Sequence, residues 1–210
     1  MKKFLAALLL LVSTHVMAAD PQAGTDYNLT VQSIPSDSNG KLEVIELFWY
    51  GCPHCYQMEP AINAWVKKLP ADVVFKRIPG VPRPDWAPMA KAYYAMESLG
   101  VLEKLHSPLF EAIHKQHAFR PDDEKAFVDW LVKQSGLDRK KVEEAYNSFS
   151  TNTKIMRAIQ VFRASGATGV PTLIVDGKYI TSSSMAGGND QALRVADFLI
   201  AKAKQERGGK

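Results

Sequence analysis

The chain has 210 residues, of which 46% are hydrophobic and 23% charged, a composition typical of a globular protein that folds around its own core. Its formal charge is +4, and without Lys2 and Lys3 near the start it falls to about +2, which excludes the strongly basic class of nucleic-acid-binding proteins. The sequence holds two cysteines, Cys52 and Cys55, so a disulfide-rich scaffold and a four-cysteine zinc site are excluded as well.

Residues 1–18 are typical of a secretory signal peptide. Lys2 and Lys3 form a basic start, residues 4–12 form a short apolar run, and Ala18 is a small residue suited to cleavage. The apolar run is too short to cross a bilayer comfortably. We therefore expect an exported, soluble mature protein whose cysteines meet oxidising conditions.

A strand–helix–strand unit is predicted around the cysteines. Residues 27–31 are a candidate edge strand, and residues 42–50 form an apolar, β-branched and aromatic run typical of a buried strand. Residues 53–68 have helical periodicity and begin with proline, which suits the first turn of a helix. Residues 73–78 form the next predicted strand, so the order indicates a βαβ unit with two parallel strands.

Helical patterns alone follow, up to residue 165. Polar residues mark the expected helix starts and glycines the expected ends; Ser107 and Pro108, for example, are expected to begin a helix over residues 109–117. After this block, residues 172–175 and 178–181 are predicted strands, joined by a hairpin turn at Asp176–Gly177. A terminal helix is predicted over about residues 190–205.

Cys52 and Cys55 lie in the segment WYGCPHCYQ, at the predicted junction of strand and helix. Side chains three positions apart share one face of a helix, so the two sulfurs are within reach of a disulfide. At a helix N-terminus the Cys52 thiolate is stabilised, and a protonated His54 would add a positive charge. Each unit by which the Cys52 pKa falls below ambient pH stabilises the reduced form by about 1.4 kcal/mol, or about 30 mV. The disulfide is therefore expected to be an oxidant.

Two other roles for the cysteines are disfavoured. A structural disulfide closing so short a loop would remove little entropy from the unfolded chain. A metal site needs about four ligands, and His106, His114 and His117 are expected on a solvated surface. Redox activity is the favoured interpretation.

Glu46 interrupts the predicted buried strand. Burying a carboxylate costs free energy unless it is paired or protonated. We therefore favour a functional role for Glu46 over a structural ion pair.

The segment FWYGCPHCYQMEP, together with GVPT at residues 169–172, resembles the DsbA family of periplasmic thiol:disulfide oxidoreductases. The resemblance extends over essentially the whole chain after residue 18. It implies an α/β thioredoxin fold (βαβ plus ββα) built from residues 19–83 and 166–210, with an inserted helical domain at residues 84–165. It also implies a redox-active Cys52–Cys55 disulfide, with no other cofactor and no metal.

The resemblance also implies roles for individual residues. Cys52 is the sulfur that is attacked, Cys55 resolves the mixed disulfide, and Pro53 and His54 tune the redox potential. Val170 precedes a cis proline, Pro171, and pairs with an extended substrate. Glu46 lies near the buried cysteine and helps take its proton, and Glu59 and Arg77 align with the rest of a buried charged group.

These observations predict a monomeric periplasmic dithiol oxidase that introduces disulfide bonds into unfolded or newly exported proteins with free thiols. A DsbB-type membrane quinone reductase is the expected electron acceptor, and no nucleic acid is expected as a partner. Two alternatives are a disulfide isomerase or reductase using the same cysteines, and an exported chaperone-like binding module whose cysteines are idle. The redox potential separates oxidase from reductase, and Cys52→Ser separates enzyme from binding module.

Overall fold

A computed structural model describes residues 19–208 of the protein, so the predicted signal peptide at residues 1–18 lies outside the described residues. The chain forms a five-stranded mixed sheet whose strand order is β1-β5-β4-β2-β3. The two strands of the predicted βαβ unit, β2 and the edge strand β3, pair in parallel, and the other neighbours pair antiparallel. The strands are β1 Asn28–Leu29, β2 Leu42–Phe48, β3 Val73–Pro79, β4 Thr172–Val175 and β5 Tyr179–Ser182.

Eight α-helices and a 3₁₀ turn at Pro84–Trp86 complete the described part of the chain. Five of the helices, α2 to α6, come between β3 and β4, in the block where the sequence predicts helices alone. The helices are α1 Pro53–Val66, α2 Ala87–Ser98, α3 Leu102–His114, α4 Glu124–Ser135, α5 Arg139–Tyr146, α6 Phe149–Ser165, α7 Ser183–Ala186 and α8 Asn189–Gly208.

Side chains alternate between the two faces of the sheet, as the pleat requires. On one face, Val44 packs with α1 and α8 in a cluster that includes Ile62 and Leu199. On the other face, Ile45 and Leu47 pack against α6. The sheet is thus covered on both sides, which is why β2 is buried along its whole length.

The helical segment packs directly on the end of β2. Phe48 and Tyr50 belong to the same hydrophobic cluster as the buried faces of α2 to α5, and so do Cys52 and Cys55. One continuous core therefore joins the sheet to these helices. The division into two domains at residues 83 and 166 stays a prediction.

The hairpin between β4 and β5 confirms the predicted turn. Asp176 and Gly177 have φ angles of 58° and 61°, as the two central residues of a type I′ turn require, and the Lys178 N–H closes the turn on the Val175 carbonyl at 3.1 Å. A Cβ atom on Gly177 would lie 1.9 Å from the carbonyl oxygen of Ile34, so glycine is needed here for space as well as for conformation.

The predicted start of a helix at Ser107 and Pro108 is wrong. Helix α3 begins at Leu102, and Pro108 lies in its interior. An interior proline removes one backbone hydrogen bond, but the helix buries Leu105 and Leu109 on either side of it, and this packing offsets the loss. The Ser107 hydroxyl does not cap the helix and instead donates to Glu59 Oε1 at 2.9 Å.

Among residues 19–208, no helix is both long enough and apolar enough to cross a bilayer.

Candidate active site

Strand β2 positions the two cysteines at the N-terminus of helix α1. The chain leaves β2 at Phe48 and turns, with the Cys52 N–H donating to the Trp49 carbonyl at 2.9 Å. Cys52 is the N-cap residue of α1 in extended backbone geometry, and Pro53 occupies the first helical position. Both cysteines are free thiols in this structure, with Cys52 8% and Cys55 1% exposed. Cys52 is thus the sulfur that a partner thiol reaches first.

The surroundings of Cys52 favour its thiolate. Its pKa is lowered to about 6, chiefly because the Cys55 thiol donates a hydrogen bond to its sulfur. Burial opposes this effect, while the backbone N–H groups of Cys55 and His54 and the charge of His54 add to the lowering. Pro53 and His54 are exposed, so the His54 ring acts on the Cys52 sulfur from the solvent side.

Cys55 has the opposite environment. Burial raises the pKa of its thiol well above the usual value. The hydrogen bond that the thiol donates to Cys52 and the negative charges of Cys52 and Glu46 raise this pKa further. The two cysteines therefore differ in charge at neutral pH, with Cys52 a thiolate and Cys55 a thiol. This is the asymmetry that the sequence predicts.

Glu46 lies on β2, near enough to Cys55 for its charge to raise the pKa of that thiol, and is 2% exposed. Burial raises the pKa of its carboxyl to about 7, against the opposing effect of Arg77. The Arg77 Nε donates to Glu46 Oε2 at 3.0 Å. A carboxyl that titrates near pH 7 is suited to exchanging a proton with a neighbouring thiol.

Glu59 and Arg77 complete a buried charged group with Glu46. The Arg77 Nη2 is 3.6 Å from Glu59 Oε2, and Asn63 donates to Glu59 Oε1 at 2.9 Å. Burial alone would raise the pKa of Glu59, but the contacts with His106, Arg77 and Asn63 hold it well below its usual range. Glu59 is therefore ionised, and Arg77 is shared between two carboxyl groups.

The expectation that three histidines lie on a solvated surface is wrong for His106. This residue is 5% exposed, with Nδ1 2.7 Å from the Tyr50 hydroxyl and Nε2 3.5 Å from Glu59 Oε2. His114 is half-buried and its Nε2 donates to the Tyr50 carbonyl at 2.7 Å. His117 alone is exposed. The two histidines of α3 thus hold Tyr50, two residues before Cys52.

The basic and polar neighbours of His106 in the sequence suggested a solvent-exposed side chain, and so its place in the buried group was not predicted. Helical spacing offers a signal in the other direction, since Phe110 and Ile113 lie four and seven positions further along the same predicted helix. Positions with this spacing share one face, and that face is buried.

The loop before β4 brings Val170 and Pro171 to the cysteines. The Val170–Pro171 peptide bond is cis, as the resemblance implies, and the Cys52 Sγ lies 3.5 Å from the Val170 carbonyl oxygen. Beside this contact is a cleft of about 580 Å³, lined by His54 and by residues 168–172, 182–184 and 187–189. Val170 thus both lines the cleft and contacts the Cys52 sulfur.

The structure therefore brings all the predicted site residues together. His54 and Val170 border the cleft, the Cys52 sulfur contacts the Val170 carbonyl, and Cys55 and Glu46 are buried. Among residues 19–208 there is no group of three or more histidine, cysteine, aspartate or glutamate side chains placed to hold a metal ion.

Comparison with known proteins agrees with this geometry. The sequence profile of the DSBA-like thioredoxin domain matches residues 72–199, from the start of β3 into α8. The chain belongs to this family. A thiol:disulfide interchange protein DsbA of Pseudomonas aeruginosa is 41% identical over 95% of this chain and 95% of its own length. One from Burkholderia cepacia is 39% identical over 99% of this chain and 100% of its own length.

Solved DsbA structures share the fold. The crystal structure of Pseudomonas aeruginosa DsbA superposes with a TM-score of 0.83, at 39% identity, over 90% of this chain and 97% of that one. DsbA from Xylella fastidiosa has a TM-score of 0.80 at 27% identity, over 88% of this chain and 98% of its own. This DSBA-family chain is accordingly a thiol:disulfide oxidoreductase with a thioredoxin fold.

Proposed function

We propose that the protein is a dithiol oxidase, which accepts two electrons from substrate thiols at a Cys52–Cys55 disulfide. The observation that carries the proposal is the position of Cys52 as the N-cap of α1 beside the more deeply buried Cys55, where a hydrogen bond from the Cys55 thiol lowers the Cys52 pKa to about 6 and burial raises the Cys55 pKa. At pH 7 the Cys52 pKa lies about one unit below ambient pH, which stabilises the reduced form by about 1.4 kcal/mol. Because the reduced form is stabilised relative to the disulfide, the disulfide tends to accept electrons from other dithiols and so oxidises them.

The proposed reaction has two exchange steps. A substrate thiolate attacks the Cys52 sulfur, the Cys52–Cys55 bond breaks, and the Cys55 sulfur leaves and takes a proton from Glu46. A second substrate thiolate then attacks the substrate sulfur of the mixed disulfide, and Cys52 leaves as a thiolate. The substrate loses two electrons and gains a disulfide, and the protein ends as the dithiol. No cofactor other than the Cys52–Cys55 disulfide is needed.

Substrates in this proposal are unfolded or newly exported proteins with free thiols. Their extended chains would pair with the backbone at Val170, as in strand addition. The 3.5 Å approach of the Val170 carbonyl to the Cys52 sulfur supports this, because a chain that pairs with the Val170 backbone would lie beside the reactive sulfur. Pro53 and His54, the exposed residues between the two cysteines, would tune the redox potential.

We further propose that the protein acts in the periplasm as a monomer and passes its electrons to a DsbB-type membrane quinone reductase. The signal-peptide pattern of residues 1–18 and the similarity to proteins named DsbA support this setting. Incubating the reduced protein with quinone-containing inner membranes tests it. Reoxidation that depends on such membranes is expected, and reoxidation at the same rate without membranes would contradict it.

The redox potential tests the oxidase proposal against the reductase alternative. We expect a potential well above the value of about −270 mV that is typical of thioredoxin, measured by equilibration with glutathione. A potential near that of thioredoxin would overturn the proposal. Cys52→Ser is expected to abolish reoxidation of a reduced, unfolded protein, whereas a chaperone-like binding module would keep its activity.

A further inference from the structure

A buried polar pair, Tyr50 and His106, lies behind the cysteines and has no part in the exchange steps. Tyr50 is 1% and His106 5% exposed, and the two side chains are joined at 2.7 Å. The surrounding rings are apolar, with the Phe48 and Phe110 centroids 5.2 Å and 5.4 Å from the His106 ring. Burying polar groups in such surroundings costs free energy unless they are hydrogen-bonded. We therefore ask what the buried Tyr50–His106 pair does for the active site.

The second ring nitrogen of His106 faces the buried charged group of the active site. Its Nε2 and Glu59 Oε2 face each other at 3.5 Å, and among the described residues neither atom has a hydrogen-bond partner at normal distance. An ionised carboxylate only accepts hydrogen bonds, so Nε2 carries the proton. Burial lowers the pKa of His106, so the ring is neutral, and Nδ1 then accepts from the Tyr50 hydroxyl. Tyr50 thus fixes the tautomer that His106 presents to Glu59.

We propose that His106 is a positioning residue for proton exchange at Cys55. By holding Glu59, it leaves Arg77 free to stay on Glu46, and Glu46 is the group that exchanges the proton. The inference deepens the proposed function and rests on the proton exchange between Cys55 and Glu46.

Arg77 transmits the effect because it is shared. Its Nε is 3.0 Å from Glu46 Oε2 and its Nη2 is 3.6 Å from Glu59 Oε2. Without His106, Arg77 is the one ionic partner left to Glu59 Oε2 among residues 19–208, and the guanidinium is expected to move towards it. Glu46 then loses part of the positive charge that opposes its burial, and its carboxyl binds a proton more tightly.

Several ionisable groups bear on the proton affinity of Glu46 and on the charge of His106. They are Cys55 and Glu59 of α1, Tyr50 in the turn after β2, Arg77 of β3, Tyr93 of α2 and Glu103 of α3. Tyr50 and Tyr93 stay neutral near pH 7, since burial raises their pKa values. Cys55 also stays a thiol until it reacts. The effect of His106 on Glu46 is therefore carried by the charges of Arg77 and Glu59.

Oxidation of the reduced protein by glutathione disulfide isolates this proton transfer. The Cys52 thiolate first attacks one glutathione sulfur and releases glutathione thiolate. Cys55 then gives its proton to Glu46 and attacks the Cys52 sulfur, which forms the Cys52–Cys55 bond and releases the second glutathione thiolate. At saturating glutathione disulfide, the plateau rate constant reports this second step.

The pH profile of that plateau tests the proposal. For the native chain, the rate should rise through an inflexion near pH 7, the pKa of Glu46. In His106→Leu the inflexion should move up by about one pH unit, and in His106→Gln, which keeps a donor and an acceptor, it should return towards the native value. An unmoved inflexion in His106→Leu would overturn the proposal, even if the rate is lower throughout.

Further variants keep the test decisive. His117→Asn removes an exposed histidine and should give the native profile. Should His106→Leu fail to fold, Tyr50→Phe keeps the ring but removes the donor that fixes the tautomer, and it should move the inflexion upward. An unmoved inflexion there would overturn the proposal. A thioredoxin-like potential in the native chain would contradict the oxidase proposal alone, because the comparison of inflexions does not depend on it.

Discussion

The sulfur of Cys52 lies 3.5 Å from the carbonyl oxygen of Val170, although 118 positions separate the two residues. This contact connects the helix N-terminus that lowers the pKa of the thiol to the loop that borders the cleft. The proposed reaction depends on it, because a substrate chain that pairs with this loop has its own sulfur beside Cys52.

Gly80→Ala should disturb this contact without touching either cysteine. An added Cβ would lie 3.1 Å from Val170 Cγ1 and 3.2 Å from the Phe162 ring, so Val170 must shift or the core must expand. We expect a loss of about 1–3 kcal/mol in the free energy of unfolding, measured by urea denaturation, and slower exchange with substrate thiols. Gly169→Ala is the matched control for stability, since its Cβ would meet nothing within 4 Å. Equal stability of the two variants would contradict the packing argument.

Gly51→Ala should displace Trp49. The new Cβ would lie 2.3 to 2.6 Å from atoms of the Trp49 ring, which stacks on Trp86 at a centroid distance of 4.2 Å and an interplanar angle of 7°. Because the ring must move, the stack should be lost, together with its exciton signal in circular dichroism. An unchanged signal would show that the turn before Cys52 tolerates a side chain at this position.

Glu46→Gln should change how stability depends on pH. The folded pKa of Glu46, about 7, lies above the usual value of 4.5, so the native state holds this proton more tightly than the unfolded state. The favourable contribution is fully present below pH 4.5 and is lost as pH rises towards 7, by about 3 kcal/mol in all. Glutamine does not titrate, so the variant should gain about that much relative to the native chain between pH 4.5 and 8.

Urea denaturation of both proteins across this pH range measures that gain. The ion pair with Arg77 exists only while Glu46 is ionised, so its effect is already contained in the Glu46 pKa of about 7 and in the change with pH. A difference in unfolding free energy that stays the same at every pH would mean that Glu46 is not perturbed by its burial.

The redox potential should depend on pH in two regimes. Below pH 6, reduction takes up two electrons and two protons, so the potential falls by about 59 mV per pH unit. Above pH 6, Cys52 remains a thiolate and Cys55 takes the one proton, so the slope falls to about 30 mV per pH unit. A slope near 59 mV that continues to pH 8 would contradict a thiolate at Cys52.

Local signals predicted the parts of the site that are close in sequence. The apolar run before Gly51 and the proline at residue 53 predict that a strand ends where a helix begins. This junction places Cys52 at the helix N-terminus and Cys55 inside the first turn, which is why the pKa values of the two thiols were expected to differ. The hairpin at Asp176–Gly177 was equally local, because the turn type demands those residues. The approach of Val170 to Cys52 came from family resemblance, since no local rule spans such a separation.

The errors arose where tertiary packing overrides local preference. Pro108 is an ordinary helix-start signal, but the burial of Leu105 and Leu109 carries α3 through it. His106 stands among charged and polar neighbours in the sequence, yet the folded helix turns it towards Tyr50 and Glu59, which come from other elements. Contacts of this kind, 56 and 47 positions apart, are set by how α3 packs on α1 and the end of β2.

Titrating the thiolate absorbance of the reduced protein against pH measures the Cys52 pKa on which the proposed oxidase activity depends. We expect one sulfur to ionise with a midpoint near pH 6, absent in Cys52→Ser, while the second stays protonated well beyond neutral pH. A midpoint at about 8.5, the value of an unperturbed cysteine, would contradict it, because nothing would then favour the reduced form over the disulfide.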